Sequence, residues 1–108
     1  MSNVPAVSVE QLRDMLKSNE PPLVLDVREQ KENDICAIPG SQLLPMGDLQ
    51  ARYGELPKDR TIVVHCHHGG RSSRATAFLR QQGFENVFNL TGGIHDWSTR
   101  IDPSVKTY

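Results

Sequence analysis

At 108 residues, 37% hydrophobic and 23% charged, the chain has the size and composition of one globular domain with a modest core. Its formal net charge is -1, from 12 Lys and Arg against 13 Asp and Glu with neither sign clustered. That excludes the basic face of a nucleic-acid binder and a polybasic membrane patch, so no nucleic acid and no membrane are expected as partners.

The apolar runs are only strand-sized, too short to span a bilayer. Met1 to Val7 lack the cationic start and apolar stretch of a secretory leader, so the expectation is a cytoplasmic protein with one domain over 1–108. Ser8 followed by Gln11 reads as a capping box. Val9, Leu12, Met15 and Leu16 then recur at helical spacing, and the helix should end near Ser18-Asn19, before Pro21-Pro22. Leu23 to Val27 is a short apolar run and reads as a buried strand. Arg28 to Asp34 reads as a short helix or turn, and Ile38-Pro39-Gly40 as a turn into a weak strand over Ser41 to Leu44. Met46 to Tyr53 reads as another short helix. Thr61 to His65 is the strongest strand signal, being almost wholly β-branched.

A helix follows from about Ser72 to Gln82, with Ala75, Phe78 and Leu79 as its apolar stripe and Gly83 as the stop. A last strand, Asn86 to Leu90, precedes Thr91-Gly92-Gly93 and a terminal helix holding Ile94 and Trp97. Strands alternating with helices predict an α/β fold around a largely parallel sheet, where ligands bind beyond the carboxyl ends of the strands. Asp26-Val27-Arg28 and the segment beginning at Cys66 both fall at such ends.

Cys66-His67-His68-Gly69-Gly70-Arg71-Ser72 joins a buried strand to a helix N-terminus, where main-chain N–H groups are unpaired and the helix dipole is positive. Gly69 and Gly70 permit a tight curl that points successive N–H groups inward. A thiol in that ring should lose its proton readily. Arg71 adds a permanent charge and a planar fork suited to oxyanions, and Ser72 can cap the helix or donate to the sulfur. The segment reads as an activated nucleophile facing an anion.

Cys66-x-x-Gly69-x-Arg71-Ser72 resembles the active-site loop of the rhodaneses, the thiosulfate sulfurtransferases. The likeness runs along essentially the whole chain. Asp26-Val27-Arg28-Glu29 resembles the family's upstream Asp-x-Arg element, Ile38-Pro39-Gly40-Ser41 its turn before the third strand, and Gly92-Gly93-Ile94 with Trp97 its near-terminal signature. Ile101 to Val105 resembles rhodanese domains appended to sulfur-carrier activators. Cys36-Ala37 stands where many members have Gly-His, and Asn33 where an aromatic is common.

The resemblance implies a small, mostly parallel five-stranded sheet with helices on both faces. It implies a Cys66 thiolate that takes the outer sulfur of thiosulfate or another sulfane-sulfur donor and passes it to cyanide, a thiol or a protein acceptor. Amides from His67 to Ser72 would stabilise the persulfide anion, while Arg71, His67 and His68 steer the donor. No metal or organic cofactor is implied, only the covalent persulfide on Cys66. A relay serving a sulfur-carrier activation system is the alternative assignment of the same chemistry.

Plainer readings stand beside these. Cys36 reads as an inert buried thiol. His65 to His68 look like metal ligands, but adjacent residues do not easily face one ion, and no distant Cys/His pair completes a tetrahedron. His65 reads as a packing residue at a strand end. Asp26 reads as a tie between loop backbones, and Arg28 either as a catalytic group or as a structural partner of Glu32. Trp97 reads as a core anchor and Gly92-Gly93 as a tight turn. Cysteine phosphatases and arsenate reductases are the enzymatic rivals, but their loops place five residues between Cys and Arg where this chain has four. A non-catalytic binding module is disfavoured because Cys66 and its whole loop are present.

Overall fold

The computed structural model describes residues 4–108; Met1, Ser2 and Asn3, part of the stretch examined for a leader, lie outside the described residues. Five strands form one sheet: β1 Ala6–Val7, β2 Leu23–Asp26, β3 Gln42–Leu43, β4 Ile62–His65 and β5 Val87–Leu90. Their spatial order is β1-β5-β4-β2-β3, and every neighbouring pair is parallel. Between them run α1 Val9–Leu16, α2 Gln30–Ile35, α3 Met46–Arg52, α4 Gly70–Gln81 and α5 Gly93–Asp96. The last continues as a π-helical turn over Trp97–Ile101.

Side chains alternate across a strand, and here both faces are covered. Leu23 and Leu25 of β2 with Val27 just beyond it, and Ile62 and Val64 of β4 with Cys66 just beyond it, pack on Leu49 of α3 and Ala75 and Leu79 of α4. Val24 and Val63 point the other way, onto Val9 and Leu12 of α1, Ile94 of α5 and Trp97. Cys66 therefore lies on the α4 side of the sheet, where β4 hands the chain directly to that helix. Burying an aliphatic side chain of this size contributes roughly 1.5–3 kcal/mol, so the two apolar layers hold the strand ends in fixed relation.

The sequence reading contained no strand at β1. Two residues are too few to show a period; their position is set by pairing with β5, where Asn89 N–H donates to Pro5 O and Thr91 N–H to Val7 O, each at 2.9 Å. The capping box of α1 forms as expected, with Ser8 Oγ accepting from Gln11 N–H at 3.1 Å and Gln11 Oε1 from Ser8 N–H at 2.8 Å. The helix stops at Leu16, with Ser18 Oγ donating to Met15 O at 2.6 Å beyond its end. Helix α4 begins at Gly70, two residues before the expected Ser72, because Gly69 at φ +120° turns the chain into it. Gly83 at φ +95° follows its end. Trp97 is buried in the α1 layer, as a core anchor.

Candidate active site

The carboxyl ends of β2, β4 and β5 converge, and each brings part of one site. Cys66 follows β4 and is 2% exposed. The curl at Gly69 aims that residue's N–H at Cys66 Sγ, 3.1 Å away, while Ser72 Oγ lies 3.4 Å from the same sulfur. Burial pushes the Cys66 thiol up. The Ser72 hydroxyl and the N–H groups of Ser72, Gly69 and Arg71 outweigh that and hold its pKa below an ordinary thiol's. A thiolate is thus favoured in a place where water is excluded.

Ser72 does not act as the N-cap; that position is Gly69. Its hydroxyl has one proton and three acceptors in reach: Cys66 Sγ, Gly69 O at 3.2 Å and Asn89 Oδ1 at 2.5 Å. Asn89, on β5, was not among the sequence candidates. The signal was an Asn inside an apolar strand, which β propensity disfavours.

Arg71 and Arg28 part company in the structure. Arg71 donates from Nη1 and Nη2 to the two carboxylate oxygens of Glu32 at 2.6 and 2.9 Å. That hydrogen bond is the main reason Glu32 is held down at about 2. The expected pairing of Arg28 with the Glu32 carboxylate does not occur. Arg28 is fully buried and turns inward, donating to Asp26 Oδ1 at 2.9 Å and Oδ2 at 2.7 Å and to the carbonyls of Cys36 at 2.7 Å and Glu32 at 3.3 Å. Tyr108 Oη accepts a further bond at 3.0 Å.

With its guanidinium enclosed by protein acceptors, Arg28 is a structural tie rather than a group that meets a ligand. Asp26, also fully buried, accepts the Arg28 N–H at 3.0 Å and Asn33 Nδ2 at 3.0 Å, so it does bind loop backbone to strand end. Burial would raise its pKa, but Arg28, His65 and Asn33 hold the carboxylate ionised. Cys36 is a free, buried thiol with Arg28 Nη1 at 3.7 Å from its sulfur.

The histidines divide as well. His65 is fully buried opposite Asp26 in the β2–β4 register, and burial lowers its pKa to about 4. His67 and His68 lie at the loop's outer side, His68 exposed. Their ring centroids are 4.0 Å apart, and Tyr108 stacks on the other face of His67 at 3.8 Å. A third imidazole, His95 of α5, joins them. Ile94 N–H donates to Cys66 O at 3.0 Å and His95 N–H to His67 O at 3.1 Å, so α5 is clamped to the Cys66 loop. Gly93 makes the approach possible: at φ +61°, a Cβ there would sit 2.5 Å from His67 O and 2.6 Å from Cys66 O. The tight turn read from Gly92-Gly93 thus has a second purpose, the docking of α5 on the loop.

Taken together, the loop offers a buried cysteine of lowered pKa ringed by inward N–H groups, with an ion pair on one side and a histidine cluster on the other. Such a site can attack a soft electrophile and hold the negative charge that remains on the added atom.

The family model for the Rhodanese-like domain matches residues 8–100. The chain is 40% identical over 99 residues to a sulfurtransferase of Allochromatium vinosum, covering 92% of each protein. It is 35% identical over 101 residues to YrkF of Bacillus subtilis, whose name marks it as a sulfur carrier protein. That match takes in 94% of this chain and 55% of YrkF, so the chain spans about half the length of that relative. Among solved structures, a rhodanese-related protein from Thermoplasma volcanium superposes with a TM-score of 0.85 at 32% identity, over 96% of this chain and 99% of that one.

Proposed function

Because the chain belongs to the rhodanese-like family, and carries the cysteine and amide ring of its loop, we propose that it is a sulfurtransferase working through a Cys66 persulfide. In the first half-reaction the Cys66 thiolate attacks the outer sulfur of thiosulfate. A bond forms between Sγ and that sulfur, the sulfur–sulfur bond of the donor breaks, and sulfite leaves with the electron pair. The persulfide anion then occupies the ring. In the second half-reaction a thiolate, cyanide or a protein acceptor attacks the outer sulfur, and Cys66 leaves as the thiolate.

The observation that carries this reading is the geometry at the sulfur, where Gly69 N–H at 3.1 Å, the Ser72 hydroxyl and the first amides of α4 together outweigh burial. The same groups stabilise negative charge one atom further out. A four-residue spacing between Cys66 and Arg71 supports sulfur over a tetrahedral oxyanion, since rigid peptides fix the radius of a short ring. Neither half-reaction needs a metal or organic cofactor. The cytoplasm suits such a protein, because a reducing compartment keeps Cys36 and Cys66 as free thiols.

A relay role, passing sulfur between protein partners, is supported by the sulfur carrier named among the relatives. The decisive experiment is intact mass after incubation with thiosulfate. The protein should gain one sulfur that cyanide or dithiothreitol removes. Retention of that gain in Cys66→Ser sinks the proposal.

A further inference from the structure

We propose that His67, His68 and His95 form a site for a single borderline transition-metal dication of the zinc, cobalt and nickel class, beside the Cys66 loop. One ring nitrogen from each of the three lies within 4.8 Å of the others. Two of the rings have a buried nitrogen with no hydrogen-bond partner, His67 Nε2 and His95 Nδ1. Buried polar atoms without partners are rare because each costs free energy, so a pair of them in one cluster points to a missing ligand.

The surroundings are those of a ligand set. The Tyr108 ring stacks on the His67 ring at 3.8 Å with planes 7° apart. His95 is fixed relative to His67 by the main-chain bond from its own N–H to His67 O at 3.1 Å. His68 is exposed, its ring centroid 4.0 Å from that of His67 and 5.2 Å from that of His95.

Tetrahedral coordination with bonds of about 2.0–2.1 Å sets nitrogens about 3.4 Å apart. Modest side-chain rotations therefore close the set. Three neutral imidazoles suit zinc, cobalt or nickel better than magnesium or calcium. They leave a fourth position for water or an anion, the pattern of an open site. The objection drawn from the sequence was that adjacent residues do not easily face one ion and that no distant Cys/His pair completes a tetrahedron. The clamp of α5 on the loop brings in one distant histidine, His95, and an open three-ligand site needs no second.

This site needs no persulfide chemistry, and its test is separate. Full-length protein stripped with chelator would be titrated with zinc by calorimetry and with cobalt by visible absorption. We expect one zinc per chain with a dissociation constant below about 10 µM. The cobalt spectrum should show tetrahedral ligand-field bands without thiolate charge transfer. His95→Gln and the exposed His68→Gln should each weaken zinc at least about tenfold, with thermal melts confirming that both fold. Cys66→Ser should bind zinc as the natural chain does. Absence of zinc uptake, unchanged affinity in both histidine variants, or loss of binding in Cys66→Ser would each overturn the proposal.

Discussion

Arg71 and Glu32, 39 positions apart in the sequence, are locked in a two-pronged ion pair with N···O distances of 2.6 and 2.9 Å. The pair joins the first turn of α4 to the first turn of α2, and it partly neutralises the positive charge beside Cys66. If the protein takes an anionic donor as proposed, Glu32 would compete with it for the Arg71 fork.

Glu32→Gln should leave the Arg71 charge uncompensated and lower KM for thiosulfate about three- to tenfold, with a smaller effect on kcat. Arg71→Ala should raise KM. The pair is partly exposed, at 32% and 13%, so solvent screening keeps the effect near 1 kcal/mol, as that fold-change implies. Steady-state release of thiocyanate measures both variants. A KM in Glu32→Gln equal to or above the natural value would show that Arg71 takes no part in donor binding.

The acidity of Cys66 is a balance, with burial on one side and the Ser72 hydroxyl and three main-chain N–H groups on the other. The natural protein should alkylate at Cys66 with a midpoint below the free-thiol value of about 8.5. Ser72→Ala removes one donor and should move that midpoint upward, slowing sulfurtransfer at neutral pH. Rate against pH, resolved by peptide mass, reads it. An unmoved midpoint would mean that the Ser72 proton is committed to Asn89 Oδ1, 2.5 Å away.

His65 makes stability sensitive to mild acid. Its folded pKa, about 4, is below the unfolded value of 6.5 because burial penalises the charged ring. Above pH 6.5 both states are neutral and nothing is lost. Between 6.5 and 4 only the unfolded chain takes up the proton, so stability falls as the pH drops. The loss by pH 5 should be about 2 kcal/mol. Urea unfolding at pH 7 and pH 5 gives the slope, and His65→Gln should flatten it. The same slope in both proteins would assign it to other groups.

Gly93 is the residue on which the junction between α5 and the loop depends. A Cβ at that position meets two loop carbonyls at 2.5 and 2.6 Å, and φ is +61°. Gly93→Ala should cost at least about 2 kcal/mol in stability and cut sulfurtransfer disproportionately, since displacing α5 moves Cys66 O and His67 O. Denaturant midpoints and kcat on the same preparation test this. Full activity and stability would mean that the loop keeps its shape without the clamp.

The order of the elements, β1 apart, and the candidate nucleophile Cys66 were readable along the chain, because both readings rest on local chemistry. Short apolar and β-branched runs, helical spacing, the Ser8–Gln11 box, and a cysteine between a β-branched run and two glycines all act over a few residues. What the tertiary structure decided were the partnerships that span long sequence separations. The Glu32 carboxylate pairs with Arg71 and not Arg28, because Asp26 and the Cys36 and Glu32 carbonyls enclose Arg28 in a buried pocket of acceptors. Asn89 meets Ser72, and His95 meets His67, only because β5 and α5 lie against the Cys66 loop. The two-residue strand β1 exists through its pairing with β5. Charge and hydrogen-bonding capacity are written residue by residue, whereas the choice among competing partners depends on which strand ends the sheet brings together.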